Sequence, residues 1–127
     1  MLKDNQAVTI LPATDLIRAK KFYTEKLGLP ATDIDTPPMV MLESGGGSKL
    51  MLYKRDEPTR AEHTVALWMV DDFDNTANTL LERGVVFEKY DLPGIVTDDR
   101  GIARLGNEKV AWFKDSEGNI LSISEQR

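Results

Sequence analysis

Few side chains in this chain are equipped for chemistry. His63 is the only histidine, the side-chain type that ordinarily titrates near neutrality, which makes it the first candidate for a general base. It follows Arg60-Ala61-Glu62 at the edge of an apolar run, where an exposed or structural histidine is the competing reading. Tyr53 closes another such run and either offers its hydroxyl to a ligand or buries its ring and sends the hydroxyl to water. Thr97-Asp98-Asp99-Arg100-Gly101 places two carboxylates and a guanidinium in a loop, where binding groups are often mounted. Gating a pocket or holding a charged group is there set against a solvated turn. Ser122 has no base evident beside it, so no serine nucleophile stands out. Gly45-Gly46-Gly47 lacks the Lys and the following helix of a phosphate loop and reads as a hairpin tip.

The remaining composition narrows the chemistry further. There is no cysteine, which excludes disulfides, thiolate metal sites and cysteine nucleophiles. The formal charge of −5 repels phosphate backbones and anionic lipid, so neither nucleic acid nor membrane is an expected partner, whereas a cationic small molecule would be drawn in. Met1 to Ala7 is polar, and no stretch is long and apolar enough to span a bilayer. The expected compartment is the cytoplasm.

The elements that must position these groups come in two similar sets. Ala7 to Leu11 reads as a strand limited by Pro12. Thr14 or Asp15 then caps a helix whose stripe of Leu16, Ala19, Tyr23 and Leu27, with Phe22 beside it, stops at Gly28. Strands follow at about Thr32 to Asp35, Met39 to Glu43 and Lys49 to Lys54, separated by Pro37-Pro38 and by Ser44 to Ser48. Arg55 to Glu62 is charged and contains Pro58, as a linker does. The order then restarts with a strand from His63 to Val70, a cap at Asp71 or Asp72, and a helix facing inward with Phe73, Thr76, Ala77, Leu80 and Leu81 up to Gly84. The second meander is expected at Val86 to Tyr90, Gly101 to Leu105 through Val110 to Lys114, and Asn119 to Ser124. The pattern is that of an internal duplication.

Side chains alternate across a strand. Ala66, Trp68 and Val70 form the helix-packing set of the restarting strand, which leaves Val65, Leu67 and Met69 on the other face. That face is apolar too. So are the second faces marked by Val8 and Ile10 and by Met51 and Tyr53, and either Trp112 or Phe113 joins them. A sheet that is apolar on both sides has to be covered on both. A ligand cavity between such sheets is one outcome, and a solid core is the other.

With those residues in view, the chain resembles the vicinal oxygen chelate superfamily, the glyoxalase, bleomycin-resistance and extradiol dioxygenase group. The resemblance rests on the opening strand with Asp15-Leu16, on Phe22-Tyr23-Thr24-Glu25-Lys26-Leu27-Gly28-Leu29, on the restart from Val65 to Asp72, and on Phe113-Lys114-Asp115-Ser116-Glu117-Gly118-Asn119-Ile120. It implies an α+β fold, two βαβββ modules forming cupped mixed sheets around a pocket, and frequently a homodimer. Residues 1–127 would then be one domain, with module one at about 7–54, a linker at about 55–62 and module two at about 63–125. In the metal enzymes of this group the resemblance also implies four ligands: a His near the start of the first strand, a Glu late in the first half, a His or Gln on the restarting strand, and a Glu after the Gly-Asn turn. Here those places fall on Val8, on Met51 or in another register Tyr53, on Val65, from which His63 is two residues displaced, and on Ser122. No metal and no other cofactor is expected on that basis.

The expected function is metal-independent binding of an apolar or aromatic small molecule, with cationic ones among the candidates. Its pocket would draw on Val8, Ile10, Met51, Tyr53, Val65, Leu67, Met69, Trp112, Ser122 and Arg100. The alternative is a lyase, isomerase or dioxygenase-type enzyme of the same group that uses His63, with Tyr53 as a second candidate, with or without a divalent metal.

Overall fold

The computed structural model describes residues 1–126. The chain forms two compact units, one of Met1–Arg60 with Ser116–Gly118, the other of Ala61–Asp115 with the chain from Asn119 onward. Among the described residues no helix is long and apolar enough to cross a membrane.

In the first unit, strand β1 (Thr9–Ala13) leads into helix α1 (Leu16–Lys21). Asp15 caps the helix, its carboxylate accepting from the Arg18 N–H at 3.0 Å. The helix does not run on regularly to Leu27. It widens into a π-helical turn, Phe22–Lys26, closed by the Leu27 N–H donating to the Phe22 carbonyl. The wider turn lets two consecutive aromatics face inward. Phe22 and Tyr23 are both buried and meet edge to face at 5.4 Å. Gly28, at φ +72°, ends the segment.

Strands β2 (Ala31–Asp35), β3 (Pro38–Glu43) and β4 (Lys49–Lys54) complete a four-stranded sheet in the order β1-β4-β3-β2. The pair β1 and β4 is parallel and the other pairs are antiparallel. Leu11, Leu42, Leu50 and Leu52 are buried on the helix side together with Ala19 and Tyr23.

The second unit repeats the plan. Strand β5 (Thr64–Val70) is followed by α2 (Phe73–Glu82), capped by Asp72, whose carboxylate accepts from the Asn75 N–H at 3.1 Å. Phe73, Ala77 and Leu80 recur at helical spacing and are buried. A short hairpin, β6 (Asp91–Leu92) and β7 (Ile95–Val96), precedes β8 (Ile102–Leu105), β9 (Glu108–Lys114) and β10 (Ile120–Glu125). The main sheet has the order β5-β10-β9-β8, with β5 parallel to β10.

The strand expected at Val86 to Tyr90 is not formed. Phe87 makes a single bridge to Phe113, and the Glu88 N–H donates to the Trp112 carbonyl at 2.7 Å. The alternation is present, with Val85 and Phe87 buried and Val86 out, but β8 already pairs with the stretch Glu108–Ala111 of β9. Little free edge is left. The chain therefore turns away at Leu92-Pro93-Gly94 and returns through Gly101, which packs on the backbone of Phe87 and Glu88. A Cβ on Gly101 would sit 2.7 Å from the Phe87 Cβ and 3.0 Å from the Glu88 carbonyl oxygen, at a φ of +89°.

The turn Ser116–Gly118 carries the most connected ion pair of the first unit. Glu117 is buried. Its Oε1 accepts from the backbone N–H groups of Thr14 and Asp15 and from Arg18 Nη2, at 3.0, 3.2 and 2.9 Å. Its Oε2 accepts from Arg18 Nε at 2.8 Å and from the Ser116 hydroxyl at 2.7 Å. Burial alone would raise this carboxyl; the hydrogen bonds from Arg18, Ser116 and the Asp15 N–H outweigh it and hold the pKa down at about 2, against an ordinary 4.5. The same bond and charge raise the Arg18 guanidinium above its ordinary value.

Two expectations follow from these contacts. Gly101→Ala should lose about 2–4 kcal/mol in denaturant unfolding, from backbone strain combined with overpacking; a variant as stable as the parent would remove Gly101 from this account. Because the Glu117 carboxyl is depressed in the folded protein, its contribution is fully present above about pH 4.5 and disappears as pH falls toward about 2. Glu117→Gln should therefore flatten the acid limb of stability against pH and cost roughly 2 kcal/mol at neutral pH.

Candidate functional site

Each sheet packs one face on its own helix, and the face left over is apolar. In the first unit the leftover face carries two cross-strand rows. Ile10, Met51, Met41 and Thr32 stand in one register, and Pro12, Tyr53, Met39 and Ile34 in the next. Ile10 is 56% exposed, and Met39, Met41, Met51 and Tyr53 are half-buried. Methionine side chains make such a surface adaptable.

In the second unit the corresponding face is a hollow of about 410 Å³ lined by Thr64, Leu67, Met69, Leu105, Glu108, Val110, Trp112, Ser122 and Ser124. Its centre is the register row Leu67, Ser122, Trp112, with Met69, Ser124 and Val110 in the next row. Leu67 and Met69 are each 51% exposed. The two serines are buried in the floor, and among the described residues neither hydroxyl nor the Trp112 indole N–H bonds to another group. An apolar wall with a few unengaged donors is the usual form of a small-molecule site. Tyr90 stands against Trp112 at 5.5 Å and 81°, an edge-to-face contact that fixes the indole plane. Burial, and then the charge of Glu88, raise the Tyr90 phenol above its ordinary value.

The residues singled out from the sequence fall into separate places. Leu67, Met69, Trp112 and Ser122 share the hollow of the second unit. Ile10, Met51 and Tyr53 share the open face of the first, and the exposed Val8 directly precedes its β1. Val65 has no partner on β10, because the register slips by one residue between Thr64 and Ala66, and it does not line the hollow. Arg100 lies at a different hollow, with Asn78 as its partner. His63 is exposed and lies outside β5, next to Thr64, which does line the hollow.

Several lining residues were not singled out beforehand. Ser124, Val110 and Glu108 follow from Ser122 and Trp112 by the alternation of a strand. Leu105 follows from pairing across the Gly106-Asn107 turn. Tyr90, which touches Trp112 without lining the hollow, carries no such signal, since its position depends on a loop.

The model of the Glyoxalase/Bleomycin resistance protein/Dioxygenase superfamily matches residues 5–123. The chain belongs to this superfamily. No curated protein matches it. Among solved structures it is similar to a glyoxalase/bleomycin resistance protein/dioxygenase from Alicyclobacillus acidocaldarius, at 22% identity and a TM-score of 0.70, covering 97% of this chain and 92% of the other. It is also similar to a glyoxalase/bleomycin resistance protein from a Streptomyces species, at 23% identity and a TM-score of 0.66, covering 95% and 100%. A lactoylglutathione lyase from Agrobacterium tumefaciens has 20% identity and a TM-score of 0.67, covering 95% and 92%. These likenesses establish the glyoxalase/bleomycin-resistance fold.

Metal enzymes of the superfamily raise the question whether a divalent ion fits here. Val8, Met51, Val65 and Ser122 supply no carboxylate and no imidazole, and replacing Met51 by Tyr53 adds only a phenol. Among the described residues no three His, Asp or Glu side chains come together as a metal-binding group. A divalent ion needs several N or O donors at bonding distance, and this set does not fit one.

The Tyr90 environment can be read directly. The difference between alkaline absorbance titrations of the parent and of Tyr90→Phe should show a phenol titrating above pH 10; a midpoint at or below 10 would contradict the packed position of Tyr90.

Proposed function

We propose that this member of the superfamily binds an apolar or aromatic small molecule without a metal ion, and does so as a homodimer. The observation that carries the reading is the row Leu67, Ser122, Trp112: half-exposed aliphatic surface, a buried hydroxyl and an indole, with Ser122 at one of the four places that the resemblance assigns to a metal ligand. Trp112 supplies a flat face for stacking, Leu67 and Met69 supply adaptable walls, and Ser122 and Ser124 supply the donors that orient a ligand. Glu108 at the rim and the formal charge of −5 favour a ligand with positive charge. The half-exposed Ile10, Leu67 and Met69 favour a second copy of the chain as the cover for these faces.

A second reading, catalysis with His63 as base, is favoured by one contact of sequence: His63 adjoins Thr64, a lining residue of the hollow.

Elemental analysis and native mass spectrometry of protein purified without chelator test the proposal together. Metal-free dimers are expected. Organic mass co-purifying with them would give the ligand class, and that compound should quench tryptophan emission in the parent but not in Trp112→Phe. Tightly held metal near one ion per chain would overturn the reading. Turnover of the compound abolished by His63→Ala would move the assignment to the catalytic alternative.

A further inference from the structure

The second unit has another hollow, on the opposite side of its sheet. It measures about 490 Å³ and is walled by the flank of α2, by β8 and β9, and by the loop that holds Asp98 and Arg100. Arg104 and Lys109 reach this side because they alternate with Leu105 and Glu108, which face the apolar hollow. The loop from Thr97 to Gly101, with its two carboxylates and one guanidinium, thus has no part in the apolar site.

Three cations converge here. Lys109 Nζ is paired with Asp74, at 2.9 and 3.0 Å from the two carboxylate oxygens. Arg100 Nη2 donates to the Asn78 side-chain oxygen, one helical turn beyond Asp74 on α2. Arg104 forms no side-chain hydrogen bond or ion pair among the described residues, yet it lines the hollow. It also stands directly opposite Lys109 in the β8–β9 pair, where like charges repel.

The carboxylates do not cancel this charge. Asp74 is matched by Lys109. Asp98 is committed to its own loop, where its Oδ1 accepts from the backbone N–H groups of Arg100 and Ile102, both at 2.9 Å. Those bonds set the backbone at Arg100. Arg104 therefore remains without a carboxylate partner among the described residues, and Arg100 has only the charge of the loop-bound Asp98 beside it, so three cations face two carboxylates on one concave surface of a chain whose formal charge is −5.

We propose that this hollow is a binding site for a small oxyanion, the phosphate or carboxylate group of a soluble metabolite, gripped by the forked donors of Arg100 and Arg104 with Lys109 beside them. The site is independent of the apolar hollow, and neither proposal rests on the other. Binding there relieves the repulsion between Arg104 and Lys109 and leaves the Asp98 loop as it stands.

Isothermal titration of the full chain with inorganic phosphate, pyrophosphate and succinate, at constant ionic strength, is the test. Saturable binding of one anion per chain is expected from at least one of these, and the preference between phosphate and succinate names the group recognised. Arg104→Gln should weaken it by about ten-fold or more, as loss of a charged partner does, with a melting temperature no lower than the parent's because the repulsion with Lys109 is removed; Arg100→Gln should weaken binding likewise, and Arg104→Gln alone suffices if the Arg100 variant loosens its loop. Lys21→Gln, the same charge change on the exposed α1 surface, should leave affinity unaltered. The proposal is overturned if none of the three anions binds saturably, if Arg104→Gln binds as the parent does, or if Lys21→Gln weakens binding equally.

Discussion

Each sheet of this chain is apolar on both faces but has only one helix to cover them. Leu11, Leu50 and Leu52 are buried against α1 in the first unit, and Phe113, Leu121 and Ile123 against α2 in the second. Full burial of such a side chain contributes about 1.5–3 kcal/mol, so these faces account for much of each unit's core. Ile10, Leu67 and Met69 leave roughly half of their surface in water and so forgo about half of that gain. Whatever settles on the open faces recovers it. The same two-sided pattern thus sets the fold and leaves an apolar surface for another molecule.

An open face is useful only if the strands beneath it keep their register, since a slip of one residue would exchange the two faces. In the second unit the β9–β10 pairing holds Trp112 opposite Ser122 and Phe113 opposite Leu121. The close turn before β10 is held by Asp115, which accepts from the Asn119 backbone N–H at 2.9 Å and from its side-chain amide at 2.8 Å. Within the same short segment Glu117 accepts from Thr14, Asp15 and Arg18. The closing run from Phe113 to Ile120 therefore has a structural explanation in each of its acids. Its carboxylates serve backbone and guanidinium groups and are not available to a metal or a substrate.

Much of this was legible from residue order because it rests on local rules. Asp15 and Asp72 cap helices, Gly28 ends one, and Leu50 and Leu52 alternate with Met51 and Tyr53 as strand parity requires. Misreadings arose where a distant partner decided the outcome. The alternation from Val85 to Phe87 is genuine, but an edge already taken by β8 keeps it from becoming a strand. Phe22 and Tyr23 both point inward because of a π-helical turn, which a period of 3.6 does not anticipate. Val65 was assigned to the open face by counting alternate residues, and the register slip opposite Ile120 breaks that count. Tyr90 reached Trp112 through a loop, and loops carry no periodicity from which to place a side chain.

The second sheet also explains how one short hairpin can serve two chemistries. Leu105 and Glu108 face one hollow while Arg104 and Lys109, their immediate neighbours, face the other. The turn Gly106-Asn107 keeps both pairs in register, so the separation of apolar from cationic surface follows from alternation alone. Moving a charge across the sheet would take a one-residue slip, which would also carry Val110 and Trp112 to the helix side and Ala111 and Phe113 out into water. Burial of Phe113 and Ala111 opposes that slip more strongly than any charge term on the hairpin, since surface charge interactions are worth about 1 kcal/mol or less and a buried phenylalanine about 3. The packing of the core thereby fixes which side of the sheet is greasy and which is charged, and the polar residues on the hairpin take the positions the core leaves them.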